Sequence, residues 1–347
     1  MSSRATSPGH EGLVAGVDLG GTKIQTIVVH GDEILGQARL PTPGNGAEPI
    51  TAAVIETLHV ALDAAGADGS SLRSVGIGAP GRALDGVVSN SPNVVGMREP
   101  FPLGPRVSLA LGGAPVHVDN DVTVATLGEL ERGAGRPFDS MLGVFVGTGV
   151  GGGLVFERRV WHGRGAAAEI GHATVKPDGR RCGCGGLGHL ESYAGRASMQ
   201  AKAERLVAQG ERTVLFELMA RHGRDRMTSG IIEREPQCPD RLIHQALGHR
   251  IAVLEGALDD PRGHAIATVP GHQLEQDRAF ASAQNLLDVD AIIVGGGLAQ
   301  RFGRTFVDRI AAQMQPLLFS ADRPPAVLPA ELGDLSGAMG AIVLAGG

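Results

Sequence analysis

Two stretches of the chain share one grammar. "LVAGVDLGGTKIQTIVVH" sets one apolar run against another across Gly20-Gly21-Thr22, and "MLGVFVGTGVGGGLVF" does the same across Gly147-Thr148-Gly149. Val/Ile/Leu-rich runs of strand length broken by glycine turns read as antiparallel strand pairs. A third run, "GDEILGQARLP", follows the first pair, and a short strand through "VWHG" follows the second. Each triplet opens a half of the chain in which helix and strand signals then alternate. An internal duplication of this kind confines the fold to an α/β architecture built twice.

The remaining elements fit that plan. Ile50, Val54, Leu58 and Leu62 recur at helical spacing and predict a helix over roughly 48–65. A strand "SVGIGAP" follows, then a loop around "SNSPNVVGM", then a strand "APVHVDND" that runs into a helix beginning near Val122. In the second half, "VDAIIVGGG" reads as a strand leading into one amphipathic helix from about 298 to 317, and "GAMGAIVLA" as a closing helix that returns to the first domain. Between about 235 and 277 proline and histidine interrupt any period, and no element is assigned there.

Composition removes several functions. The net charge is −6 over 347 residues, with no block of like charges, whereas a nucleic-acid surface needs a concentrated Lys/Arg face. The opening "MSSRATSPGHEG" has no apolar core of a signal peptide and is too short for a helix-turn-helix, so residues 1–11 are expected to be a disordered tail. The longest uncharged stretch, 140–156, is broken by six glycines and reads as strand-turn-strand rather than a membrane span. A cytoplasmic protein with no nucleic-acid or membrane partner is expected. Three cysteines in such a chain make no disulfide framework.

Several motifs carry chemistry. No G-x-x-x-x-G-K-[ST] is present, and the two G-x-G-x-x-G matches, Gly76/Gly78/Gly81 and Gly147/Gly149/Gly152, do not open helices. The first runs through Pro80 into an expected irregular loop and the second into another strand, so a dinucleotide fold is rejected. The Gly20-Gly21-Thr22 turn instead offers amides and a hydroxyl suited to phosphate, with Asp18 placed to hold Mg²⁺ through water. Either turn alone reads as a plain hairpin. Two in matching places favour phosphate binding by Gly20, Gly21, Thr22 and Lys23 on one side, and by Thr148 and Gly149 on the other.

Asp121 stands at the start of a predicted helix, where the dipole keeps a carboxylate ionised and ready to accept a proton. Spacing alone allows an N-cap role equally well. The pattern H-x9-C-x-C-x4-H, formed by His172, Cys182, Cys184 and His189, places four borderline-to-soft ligands in one glycine-rich segment. A metal is favoured over a bridge or a bare turn.

The ordered set "DLGGTKI", "GIGAPG", "VDNDVTVATLGE", "GTGVGGG", "EIGH…CGCGGLGHLE" and "IIVGGG" resembles the ROK family of bacterial sugar kinases and sugar-responsive repressors, within the actin-like ATPase superfamily. The likeness runs from about residue 13 to the C-terminus. It implies a two-domain actin-like (ribonuclease H-like) fold with an interdomain cleft, and a homodimer. It implies an ATP-dependent hexose kinase, glucose O6 first, with mannose, N-acetylmannosamine, N-acetylglucosamine and fructose as alternatives. Asp121 would be the base. Asn120, Asp121, Glu169, His172 and Glu191 would bind sugar, with Gly81 and Asn93 as further candidates, and Gly295-Gly296-Gly297 would bind adenosine.

The same resemblance makes the metal a structural Zn²⁺ and the loop 169–191 part of the sugar site. It divides the chain into an N-terminal domain of 12–119 plus about 334–347 and a larger domain of 120–333. Two departures stand out. Most members carry a third cysteine at the position of His189, and the segment at about 235–277 reads as an insertion. Family repressors carry an N-terminal DNA-binding domain of several dozen residues, against about a dozen residues here before the first strand, so the kinase reading leads.

Overall fold

The computed structural model describes residues 12–91, 94, 96–210, 215–228 and 274–347. Asn93, the tail 1–11 and most of the segment expected as an insertion lie outside the described residues. In chain order the strands are β1 (Leu13–Leu19), β2 (Lys23–His30), β3 (Glu33–Pro41), β4 (Leu72–Ala79), β5 (Arg82–Leu84), β6 (Val87–Ser89) and β7 (Val116–Asn120), then β8 (Met141–Val146), β9 (Val150–Phe156), β10 (Arg159–Val160), β11 (Ala291–Gly295) and β12 (Ala326–Pro329). The helices are α1 (Ala47–Ala64), α2 (Leu103–Ala110), α3 (Asp121–Arg132), α4 (Glu191–Ala194), α5 (Arg196–Ala208), α6 (Leu215–Arg221), α7 (Leu274–Leu287), α8 (Gly296–Met314) and α9 (Ser336–Leu344).

The duplication is explicit in the sheets. One has the order β3-β2-β1-β4-β7 and the other β10-β9-β8-β11-β12. In each, the first hairpin is antiparallel, and the strand at its inner edge then pairs in parallel with the next strand of its half, β1 with β4 and β8 with β11. The sheets thus repeat one topology, with a phosphate-type turn joining β1 to β2 and another joining β8 to β9.

The first unit comprises the described residues within 1–136, 160–167 and 335–347. Its sheet is covered on both faces, which is why β1 is buried along nearly its whole length. Leu13, Ala15, Val17 and Leu19 join the core under α1 and α2, while Val14 joins Ile27, Val29, Ala338 and Ile342 under α9. Period-2 alternation therefore serves two apolar layers rather than one. Gly76 on β4 makes the second layer possible, because a side chain there would overlap the Ala341 carbonyl of α9.

The second unit comprises the described residues within 137–159 and 168–334. Its core gathers Leu142, Val144 and Val146 of β8, Ile292 and Val294 of β11, and Leu298, Ala299, Val307 and Met314 of α8. Asp290 holds the start of β11 to that of β8: its Oδ2 accepts from Ser140 N at 3.0 Å and Ser140 Oγ at 2.7 Å. Those bonds keep the Asp290 carboxyl below the usual carboxylate range.

The structure differs from the sequence reading in several places. The division between units falls at 136 rather than 119, because α3 packs on α9, and 160–167 also belongs to the first unit. The segment after Pro80 is a β5–β6 hairpin rather than an irregular loop. The helix expected over 298–317 is broken: Gly303 takes φ 58°, and residues Gln315–Leu317 form a separate 3-10 turn. Residues 274–277, expected within the insertion, open α7.

Candidate active site

The end of β7 carries three consecutive polar residues with three different duties. Asp119 Oδ2 lies 2.6 Å from His162 Nε2. Asn120 is the N-cap of α3: its Oδ1 accepts from Val122 N at 2.9 Å and Thr123 N at 3.0 Å, and its Nδ2 donates to the Gly81 carbonyl at 3.0 Å. Asp121 is the first helical residue, half-buried, with Oδ1 3.0 Å from Val122 N. Asn120 is thus the N-cap, and the Val122 N–H is shared between its Oδ1 and that of Asp121. The Asp121 carboxylate sits at the positive end of the α3 dipole.

Gly81 joins the same group through its backbone. Its φ is +102°, a conformation that favours glycine, and its carbonyl receives the Asn120 amide. Asn120 therefore fixes the β4–β5 turn and the α3 terminus at once. The buried Glu129, also within "VDNDVTVATLGE", plays a structural part: Oε1 accepts from Ser336 Oγ at 2.7 Å and Oε2 from Ala134 N at 3.0 Å, which ties α3 to the start of α9.

The first phosphate-type turn is closed by Gly20 N–H donating to Lys23 O at 3.0 Å, and Thr42 Oγ1 donates to Gly20 O at 2.6 Å. The Gly20 amide, expected at a phosphate, is spent on the turn. Gly21 and Thr22 are exposed at its tip and Lys23 is half-buried. Asp18, at the end of β1, lies against the first turn of α9, where a side chain on Gly337 would meet its carboxyl group.

The second turn is closed more tightly, with Gly147 N–H donating to Gly149 O at 2.9 Å. Its carbonyls also cap α5: Arg196 N donates to Gly147 O at 3.2 Å and Ala197 N to Thr148 O at 3.1 Å. Arg196 extends its Nη2 to 3.5 Å from Thr148 Oγ1, and burial lowers the pKa of this guanidinium. Arg196 and His162 were not picked out from the sequence. Neither lies in a spacing pattern that would mark it. Gly295-Gly296-Gly297 forms the junction of β11 with α8, and Gly296 has φ +83°.

The metal-type segment is assembled around Glu191. His172, Cys182, Cys184 and His189 bring their ligand atoms within 4.8 Å of one another. Cys184 Sγ is 3.2 Å from His189 Nδ1, and Cys182 Sγ is 3.8 Å from His172 Nδ1. Around a tetrahedral zinc with bonds of about 2.0–2.3 Å, adjacent ligand atoms stand roughly 3.3–3.8 Å apart. Two of the ligand pairs stand near that spacing, and the donor set is compatible with Zn²⁺. Both described cysteines are free of disulfides. Burial, with added repulsion from Cys184 and Glu191, pushes the Cys182 thiol up to about 11 in the protein without metal.

Backbone bonds shape that loop. Cys182 N donates to Gly186 O at 2.8 Å, Gly185 N to Cys182 O at 2.9 Å and Gly188 N to Arg180 O at 2.8 Å. A short β-bridge joins Thr174 to His189. Glu169 Oε2 stands 3.9 Å from His172 Nε2, so the imidazole faces a thiol through one nitrogen and a carboxylate through the other. Burial raises the Glu169 pKa, opposed by His172 and reinforced by Glu191. Glu191 Oε2 accepts from Val150 N at 2.9 Å and Oε1 lies 3.7 Å from Cys182 Sγ.

Comparison with known proteins places the chain in a family. Residues 14–245 and 266–347 match the ROK family. The glucokinase of Streptomyces coelicolor is 33% identical over 344 residues, covering 96% of this chain and 98% of its own. An N-acetylmannosamine kinase of Haemophilus influenzae is 29% identical, covering 70% and 82%. A crystal structure of a ROK glucokinase from Streptomyces griseus in complex with glucose and AMPPNP superposes with a TM-score of 0.74 at 32% identity, over 96% of this chain and 99% of that one. With its two-unit actin-like fold, its duplicated sheets and a sequence match over most of its length, this chain belongs to the ROK family.

Proposed function

We propose that the chain is an ATP-dependent hexose kinase with glucose as the leading acceptor. Mannose, N-acetylmannosamine, N-acetylglucosamine and fructose are the alternative acceptors. The observation that carries the reading is Asp121 at the first helical position of α3, with the capping duty taken by Asn120, in a chain about a third identical to a glucokinase over nearly its full length. A carboxylate at a helix N-terminus is suited to general-base work.

In the proposed step Asp121 takes the proton of the sugar O6 hydroxyl as that oxygen attacks the γ-phosphorus. The O6–P bond forms, the bond from the γ-phosphorus to its bridging oxygen breaks, and ADP leaves with the electron pair. Phosphoryl transfer of this type rests on positioning and charge neutralisation. Thr22 with Gly21, and Thr148 with Gly149, would hold phosphates, Lys23 and Asp18 would serve the nucleotide and its Mg²⁺, and Gly295, Gly296 and Gly297 would hold adenosine. Bound Mg²⁺ would supply charge neutralisation.

Asn120, Glu169, His172 and Glu191 would contact sugar hydroxyls, with Gly81 and Asn93 as supporting positions. Zn²⁺ on His172, Cys182, Cys184 and His189 would fix the loop that carries these residues and, with four protein ligands, would leave no open coordination position. Among the described residues no helix is long and apolar enough to cross a membrane, in keeping with a proposed cytoplasmic enzyme. A homodimer is part of the proposal, and light scattering tests it.

The functional test is a coupled ADP-release assay across these hexoses, with inorganic polyphosphate as a second donor. Turnover of glucose with ATP, lost in Asp121→Asn, is expected. No turnover with any hexose, or full activity in that variant, would overturn the reading.

A further inference from the structure

The segment 160–167 carries a side chain that the kinase reading leaves without a role. His162 Nε2 stands 2.6 Å from Asp119 Oδ2, and both residues belong to the first unit. A carboxylate accepts, so Nε2 is the donor of this short bond. The other carboxylate oxygen, Oδ1, accepts the backbone N–H of Asn120 at 2.7 Å. Asp119 therefore transmits the hold of His162 to the main chain of the next residue.

The sequence explains how a histidine 43 residues downstream arrives there. "VWHGRGAAA" has a glycine on either side of Arg164, and Gly163 and Gly165 take φ of +55° and +93°, conformations that favour glycine. The chain turns back on His162 itself: Gly165 N donates to the His162 carbonyl at 2.7 Å, and Ala167 N to the same carbonyl at 3.3 Å. The turn also brings the Gly165 backbone against Arg82, where a side chain on Gly165 would come within 2.7 Å of Arg82 Nε. Arg82 follows Gly81, whose carbonyl takes Asn120 Nδ2. His162, Asp119, Asn120, Gly81, Arg82 and Gly165 thus form a closed ring of contacts.

We propose that His162 is a positioning residue for the acceptor sugar: through Asp119 it fixes the main chain at Asn120, and with it the polar groups of Asn120 and Asp121 at the start of α3. For its chemical consequence this rests on the kinase reading. Group transfer slows steeply when a reacting group is displaced by about an ångström, so a brace on the residue before this pair acts on turnover through them. The residues read as holding the nucleotide lie on other turns, and the effect should therefore fall on the acceptor.

Two arms test it on the parent, His162→Ala and His162→Gln, where glutamine sets an amide N–H near the place of Nε2. The His162 side chain is 53% exposed, so the variants should fold, and melting curves check that they do. Hydrogen exchange of peptides spanning 119–123, read by mass spectrometry, needs no activity. Exchange there should be about tenfold faster in His162→Ala and return toward the parent rate in His162→Gln, and His162→Ala should add nothing in an Asp119→Ala background. In the kinetic arm, kcat/KM for glucose, or for the hexose turned over fastest in its place, should fall about tenfold in His162→Ala and recover in His162→Gln, with KM for ATP unchanged. Unaltered exchange at 119–123 in His162→Ala, no recovery with glutamine, or an active parent whose kcat/KM survives the alanine change would overturn the proposal. A parent that turns over no hexose sinks the kinase reading instead, and the exchange arm then decides the brace by itself.

Discussion

Glu191 Oε2 accepts the backbone N–H of Val150 at 2.9 Å, so a residue of the metal loop is fastened to the first residue after the second glycine turn. Its other oxygen lies 3.7 Å from Cys182 Sγ. The carboxylate occupies the space beside Gly149, where any side chain would overlap it. Turn and loop are therefore one assembly with Glu191 as the connector.

Replacing that connector separates packing from charge. Glu191→Ala leaves the Val150 N–H unsatisfied in a buried strand, and a cost of about 1–3 kcal/mol in unfolding free energy is expected. Glu191→Gln retains an acceptor and should cost less. Chemical denaturation of the three proteins measures the order. A glutamine variant as destabilised as the alanine variant would mean that the charge, and not the hydrogen bond, secures the turn.

Asn120 and Asp121 are neighbours with different expected effects on stability. Asn120→Ala removes the cap of α3 and its bond to Gly81, and should lower stability by about 0.5–2 kcal/mol. Asp121→Asn leaves the cap intact, so its melting temperature should stay near that of the parent while kcat falls by about 10²–10⁴-fold. Parallel melting curves and steady-state rates distinguish them. A melting temperature lowered as far in Asp121→Asn as in Asn120→Ala would return Asp121 to a structural role.

Much of this was legible in the sequence because it is written in local patterns. Glycine-separated apolar runs give both hairpins, and a strand ending in Asp-Asn-Asp gives the α3 terminus. The cysteine-histidine spacing gives the cluster. What stayed hidden depends on partners distant in sequence. That Asn120 is the N-cap of α3 shows only in its bonds to Val122 N and Thr123 N, and the claim of α9 on α3, which moved the boundary between units, is a packing fact. His162 beside Asp119 and Arg196 beside Thr148 are meetings across 43 and 48 residues with no periodic signature. The glycines of "GIGAPG" look like a nucleotide motif, yet at Gly76 the requirement is the approach of a helix.

Glu169 gives the site a pH signature. Burial raises its pKa above the usual glutamate value, so in the window between the two the folded state binds more protons than the unfolded state. Unfolding free energy must then fall as pH rises through that window. The stabilising contribution is complete below the ordinary value of about 4.3 and is lost above the raised one. Glu169→Gln removes this slope and should gain on the parent as pH rises from about 4 through that window. Calorimetric melting of both proteins over that range measures it, and a difference that stays constant with pH would show that Glu169 titrates alike in both states.

The metal cluster yields the sharpest prediction. Protein purified without added metal should carry about one equivalent of zinc, retained in His189→Cys and lost in His189→Ala, because cysteine and histidine both satisfy a tetrahedral site. Without metal the Cys182 thiol is buried with a pKa of about 11, so roughly one molecule in a thousand is thiolate at pH 8. Cys184 is exposed. After chelation, iodoacetamide should modify Cys184 well before Cys182, whereas zinc-loaded protein should protect both. Peptide mapping by mass spectrometry reads the two positions separately. Equal labelling of loaded and stripped protein would mean that the four side chains gather for packing alone.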